Sequence, residues 1–168
     1  MFGGEPGTAY VALTESWDGS SWTEVADMNT GRSNTYGAAR TNTAALCIAG
    51  LNTSQPEYNL KVVESWNGSS WTEVGDINTQ RYNAAAIGTN TAALAFGGQK
   101  SNPNANANES EEYNGSSWTE GNNLNTARFL AGAGTQTAGL GFGGTGLSLP
   151  RTGATEEYNG TSWSEQND

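Results

Sequence analysis

The sequence predicts an all-β fold built from four-stranded antiparallel units, three complete and one partial. Three observations predict it. One segment recurs four times at a period of roughly 47 residues. An Asp-Gly or Asn-Gly turn signal stands inside every copy. No stretch carries apolar residues at helical spacing over more than a turn or so. At 168 residues the chain has the size of one domain, and its 35% hydrophobic content is offset by 23 glycines, six tryptophans and six tyrosines.

The recurring segment is Glu15-Ser16-Trp17-Asp18-Gly19-Ser20-Ser21-Trp22. It returns as Glu64 to Trp71, as Glu111 to Trp118 and as Glu156 to Trp163. Between copies recur Thr43-Ala44-Ala45-Leu46, Thr91-Ala92-Ala93-Leu94 and Thr137-Ala138-Gly139-Leu140, each running to glycine at Gly50, Gly97-Gly98 or Gly143-Gly144. Met1 to Gly4 reads as the tail of a fourth such run. The first strand of each unit follows Arg32, Arg81 or Arg128 and is small and apolar, which suits a crowded position near a central axis. The second is the Thr-Ala-Ala-Leu run, with the two-residue alternation of a strand. The third ends in Trp or Tyr, and the fourth starts at the next Trp. Between them, Asp18-Gly19, Asn67-Gly68, Asn114-Gly115 and Asn159-Gly160 predict two-residue turns of type I′, which need positive φ at both central residues. The units are 1–31 (partial), 32–80, 81–127 and 128–168, all within one domain, and over a third of the residues are expected in strands.

These residues resemble the kelch repeat, in which a glycine pair closes the second strand, an aromatic and then a tryptophan follow, and an arginine opens the next blade. The glycine pair maps to Gly3-Gly4, Gly97-Gly98 and Gly143-Gly144, with Ala49-Gly50 as a degraded copy. The aromatic maps to Trp17, Trp66, Tyr113 and Tyr158, the tryptophan to Trp22, Trp71, Trp118 and Trp163, and the arginine to Arg32, Arg81 and Arg128. The aromatic-to-tryptophan spacing is shorter than the usual kelch spacing, and the gap before the aromatic is longer, enlarging one loop per blade. The resemblance implies kelch-like β-propeller blades of four antiparallel strands, about 3.5 blades per chain, which one chain alone cannot close because a ring takes about 4 to 8.

The recurring side chains have expected structural roles. Trp22, Trp71 and Trp118 are expected to be buried between blades, with Trp163 at the same position of the last unit. Arg32, Arg81 and Arg128 lie level with Glu64, Glu111 and Glu156 in the assumed strand order, so ion pairs locking strands or neighbouring blades are expected. The pairs Glu111-Glu112 and Glu156-Glu157 alternate faces along a strand and are expected at a solvated edge. Cys47 lies in an apolar run and reads as a small buried hydrophobe.

Composition narrows the function. A net charge of −10 cannot neutralise a row of phosphates, so no nucleic-acid partner is expected. No stretch approaches the roughly 20 apolar residues of a membrane span, and Met1 to Gly4 carries no signal-peptide pattern. With no histidine and one cysteine, neither the copper site of kelch-like galactose oxidase nor ordinary zinc catalysis has its ligands. The regular spacing of the three arginines argues against a sialidase-like carboxylate grip. Neither enzyme, metal nor cofactor is therefore expected. Five asparagines fit the glycosylation sequon, three of them on turns where Asn-Gly is needed anyway.

The loops between second and third strands differ from unit to unit, whereas the skeleton repeats. Variable loops on a regular scaffold are where recognition usually resides. Candidate binding residues are Asn52, Gln55 and Tyr58 in one loop, Asn102, Asn104, Asn106 and Asn108 in the next, and Ser148 and Arg151 in the last. The expected function is a non-enzymatic adhesin or filament component, extracellular or virion-associated, recognising glycan or protein and associating with itself or with the rest of a larger propeller. An intracellular interaction scaffold is the alternative, followed by a propeller hydrolase or lyase.

Overall fold

The computed structural model describes residues 1–7, 9–54, 59–101, 104–147 and 150–166. Among them are seventeen strands and no helix, arranged as antiparallel sheets. Sheet I holds β1 (Phe2–Gly4), β2 (Val11–Trp17) and β3 (Trp22–Val25). Sheet II holds β4 (Tyr36–Thr41), β5 (Ala44–Leu51), β6 (Asn59–Trp66) and β7 (Trp71–Val74). In sheet III, β8 (Ala85–Gly88) and β9 (Ala93–Phe96) are followed by an inserted hairpin of β10 (Gln99–Ser101) and β11 (Asn104–Asn106), then by β12 (Ser110–Tyr113) and β13 (Trp118–Glu120). Sheet IV holds β14 (Phe129–Thr135), β15 (Ala138–Thr145), β16 (Thr155–Tyr158) and β17 (Trp163–Gln166). Each four-stranded sheet runs in chain order from its first strand to its fourth, and β4, β8 and β14 lie side by side.

The core lies between sheets. Leu46 and Ile48 of sheet II meet Tyr113 and Trp118 of sheet III, while Leu94 and Phe96 of sheet III meet Tyr158 and Trp163 of sheet IV. Covered on both faces, β5 is buried along almost its whole length and shows no alternation of exposure. Cys47 lies fully buried there, and burial pushes its thiol up from the ordinary value. The ladder register shifts at Gly3-Gly4 of β1 and at Ala49-Gly50 of β5, between Phe2 and Gly4 and between Ile48 and Gly50. Both residues of each pair have positive φ, and Ala49 takes this backbone at φ 48° where Gly3, Gly97 and Gly143 stand in the other copies.

Two expectations need correction here. The hairpins do not adopt type I′ turns on Asp-Gly and Asn-Gly. Asp18 N–H donates to the Ser21 carbonyl at 3.3 Å, which centres the turn on Gly19-Ser20, and of Asp18, Gly19, Ser20 and Ser21 only the glycine has positive φ. The other three copies close in the same way. The cause is the preceding side chain: Asp18 Oδ1 accepts the Ser20 and Ser21 N–H groups at 2.8 and 2.9 Å, and so takes the Ser20 donor that a turn centred on Asp18-Gly19 would give to the Trp17 carbonyl. The second correction concerns Trp22, which is 54% exposed, whereas Trp71, Trp118 and Trp163 are 7%, 6% and 7% exposed. Each buried tryptophan packs against the preceding sheet, and nothing precedes sheet I among the described residues.

Candidate interaction surface

One polar constellation occurs three times. Glu111 is fully buried on β12, and its carboxylate accepts four donors: Asn78 N–H at 2.7 Å, Asn78 Nδ2 at 2.9 Å, Thr79 N–H at 3.1 Å and Arg81 Nη2 at 2.9 Å. Glu156 gathers Asn125, Thr126 and Arg128 in the same way, and Glu64 accepts from Asn29 and Thr30 with Arg32 beside it as an ion pair. Asn78 to Arg81 form the connector from sheet II to sheet III, so a carboxylate of one sheet grips the link to the sheet before it. A buried carboxylate is tolerable only with its lone pairs satisfied, and here they are. Arg81 and Arg128 also donate to the carbonyls of Glu109 and Ala154. Arg32 lies 2.9 Å from Glu64, but none of its guanidinium nitrogens makes an aligned hydrogen bond.

Sequence reasoning named Arg and Glu but missed their partners. The signal was present as Asn29-Thr30-Gly31-Arg32, Asn78-Thr79-Gln80-Arg81 and Asn125-Thr126-Ala127-Arg128. Each follows a buried apolar residue, Met28, Ile77 or Leu124, that pins the connector from below. The expectation of a solvated edge fails for Glu111 and Glu156, which point inward to this clamp. Glu112 faces the other way and accepts the Tyr158 hydroxyl at 2.5 Å; burial and this carboxylate together push the Tyr158 phenol up.

The loops between second and third strands lie beside the connectors. Asn52 and Asn108 belong to the framework rather than to a binding surface. Asn52 is buried, donating to the Gly31 carbonyl at 2.7 Å and accepting Ser54 N–H, and half-buried Asn108 donates to the Leu124 carbonyl at 3.2 Å. Their short amides serve the connector, which leaves few atoms for a ligand. Asn104 is exposed at the tip of the β10 and β11 hairpin, and Arg151 is exposed in the last loop. Asn106 accepts the Leu147 N–H at 3.0 Å, which joins the hairpin of sheet III to the loop of sheet IV. Lys100 donates to Glu109 at 2.5 Å; burial opposes the charge of Glu109, but this ammonium, a backbone hydrogen bond and the Arg81 charge together lower the carboxyl. Gln55, Tyr58, Asn102 and Ser148 lie outside the described residues.

No family model and no curated protein matches the sequence. The chain is similar in fold to YjhT. A solved structure of YjhT matches with a TM-score of 0.74 at 13% identity, over 93% of this chain and 52% of that one. The chain therefore spans about half the length of the YjhT structure, and at this identity the likeness concerns fold alone.

The two end faces of the array differ from the seams within it. On sheet I, Trp17 and Trp22 are 43% and 54% exposed. On sheet IV, Phe142 is 38% exposed and Leu140 is half-buried, although the ladder places them where Phe96 and Leu94 are fully buried on sheet III.

Proposed function

We propose that the four sheets are blades of a kelch-like β-propeller, incomplete in this chain, which serves as a non-enzymatic binding module. Its ligand is a glycan or a protein, met by the loops between second and third strands in an extracellular or virion-associated setting. The observation that carries this reading is the division of labour among polar residues. Glu64, Glu111 and Glu156, with the arginine, asparagine and threonine that each gathers, are consumed by clamps at the connectors. Asn104 and Arg151, in the loops whose sequence does not recur, are exposed and outside these clamps. The link from Asn106 to Leu147 supports treating neighbouring loops as one surface. Affinity at such a surface would come from amide hydrogen bonds and the Arg151 guanidinium rather than from an enclosed pocket.

A glycan array and a pull-down with the whole chain test this reading, each repeated with Asn104→Ala and Arg151→Ala. Retention of a glycan or protein class that both substitutions weaken supports it. Retention unchanged by both, with the fold intact, removes these loops as the recognition surface.

A further inference from the structure

We propose that the bare face of sheet I docks onto the bare face of sheet IV of a second copy of this chain, Trp17 and Trp22 of one copy covering Leu140 and Phe142 of the next. The inference rests on the blade reading above and extends it to a partner.

The interface needed is already built within the chain. The second strand of each unit places a residue at one ladder position: Phe2 opposite Thr14, Ile48 opposite Val63, Phe96 opposite Ser110 and Phe142 opposite Thr155. Three of these four meet the tryptophan of the following sheet. Phe2 stacks edge-on against Trp71 with centroids 5.2 Å apart, Phe96 lies 4.7 Å from Trp163, and Ile48 shares a buried cluster with Trp118. Phe142 is the fourth member of the series, and no following sheet meets it among the described residues. At the opposite end, Trp22 is the member of the tryptophan series that no preceding sheet meets among the described residues.

The bare tryptophan pair is already set for contact. Trp17 and Trp22 lie 5.4 Å apart at 44°, and Trp66 and Trp71, packed against sheet I, lie 5.4 Å apart at 43°. The pair holds its seam geometry without a partner, so docking costs little side-chain ordering. Exposed large aromatics at a flat sheet face are also the residues from which interface hot spots are made. The two faces differ from one another, so the contact is heterologous, and each docked copy leaves a free face at either end. The docked seam would reproduce the apolar part of the internal ones without a covalent connector. Association is therefore reversible. Because each copy carries a net charge of −10, added salt strengthens it by screening repulsion.

Sedimentation velocity on the whole chain, with Trp22→Ser and Phe142→Ser variants, tests the proposal, and circular dichroism reports their fold. The unaltered chain should form species larger than a monomer, increasingly so at higher salt. Each variant alone should lose association by about tenfold or more, the scale expected for a central aromatic anchor. Mixing the two variants should restore one seam, from Trp22 of the Phe142→Ser copy to Phe142 of the Trp22→Ser copy, and should yield a dimer that grows no further. Should either variant fail to fold, Trp17→Ser or Leu140→Ser takes its place. A folded monomer at all concentrations, or assembly that neither variant weakens, overturns the docking while leaving the binding reading intact. A chain without strand signal would count against the blade reading itself.

Discussion

Glu111 and Arg81 face each other with Oε1 and Nη2 2.9 Å apart, and neither side chain reaches solvent. Removing one charge from such a pair leaves the other uncompensated in a low dielectric. Glu111→Gln keeps the shape but has one acceptor oxygen where the carboxylate has two, so it serves either the Asn78 donors or those of Thr79 and Arg81 and sets its own NH2 against the rest, and Arg81 stays charged. The substitution should lower the unfolding free energy by about 3–5 kcal/mol, read from urea denaturation. A loss under about 1 kcal/mol would mean that water reaches the pair.

The exposure difference between Trp71 and Trp22 gives an internal control. Trp71→Ala opens a cavity against Phe2 and Thr14 and should cost about 3–5 kcal/mol. Trp22→Ala, measured on the monomer, should stay within about 0.5 kcal/mol. Equal effects would place Trp22 in a buried seam.

Trp71 Nε1 donates to Thr14 Oγ1 at 3.0 Å, whereas buried Trp118 Nε1 has no partner. The ladder position of Thr14 is taken in sheet II by Val63, which shares the cluster of Trp118. Val63→Thr should therefore offer the missing acceptor and stabilise by about 1 kcal/mol, against the usual sign for a hydroxyl placed in a core. A lower thermal midpoint would refute it.

Ala49 occupies a left-handed backbone at φ 48° in which glycine stands in the other three copies. Ala49→Gly should relieve about 1 kcal/mol of strain, less what its methyl packing contributes. The unfolding midpoint should rise, and a fall would show that the methyl outweighs the backbone.

Hydrogen bonds from the Ser21 and Ser20 N–H groups hold the Asp18 carboxyl down at about 2. A carboxyl lowered by folding stabilises the chain above its ordinary pKa, and that contribution is lost as pH falls toward about 2. In Asp18→Asn, the residue already found at Asn67, Asn114 and Asn159, the loss between about pH 4 and 2 should be smaller. Carboxyl chemical shifts give a direct check, and a midpoint near the ordinary value would show that the turn does not hold the charged form.

The repeat made the strand order legible because four copies of the aromatic, turn and tryptophan pattern sit at nearly constant spacing. Arg and Glu were legible as a level pair for the same reason. The turn centre was misplaced by one residue because Asn-Gly is also the start of an Asx turn, and side-chain capping won over backbone symmetry. The exposure of Trp22 was hidden because its local sequence matches that of Trp71; the difference lies in what stands on the preceding side. Asn52 and Asn108 read as loop polarity, yet their amides close the hydrogen bonding of connectors that are distant in sequence. Single-chain reading sees the loop but not its neighbour.

Asn29, Thr30, Arg32 and Glu64 all lie within one stretch that also contains the whole of sheet II. A tandem duplication of that stretch at the gene level would carry with it a complete connector, its acceptor and both packing faces, so the new unit would arrive with its joints already made. The packing faces are less interchangeable than the connector: Trp71 of an added unit would meet Ile48 and Val63 where it now meets Phe2 and Thr14, so each added seam would lose one hydrogen-bond acceptor.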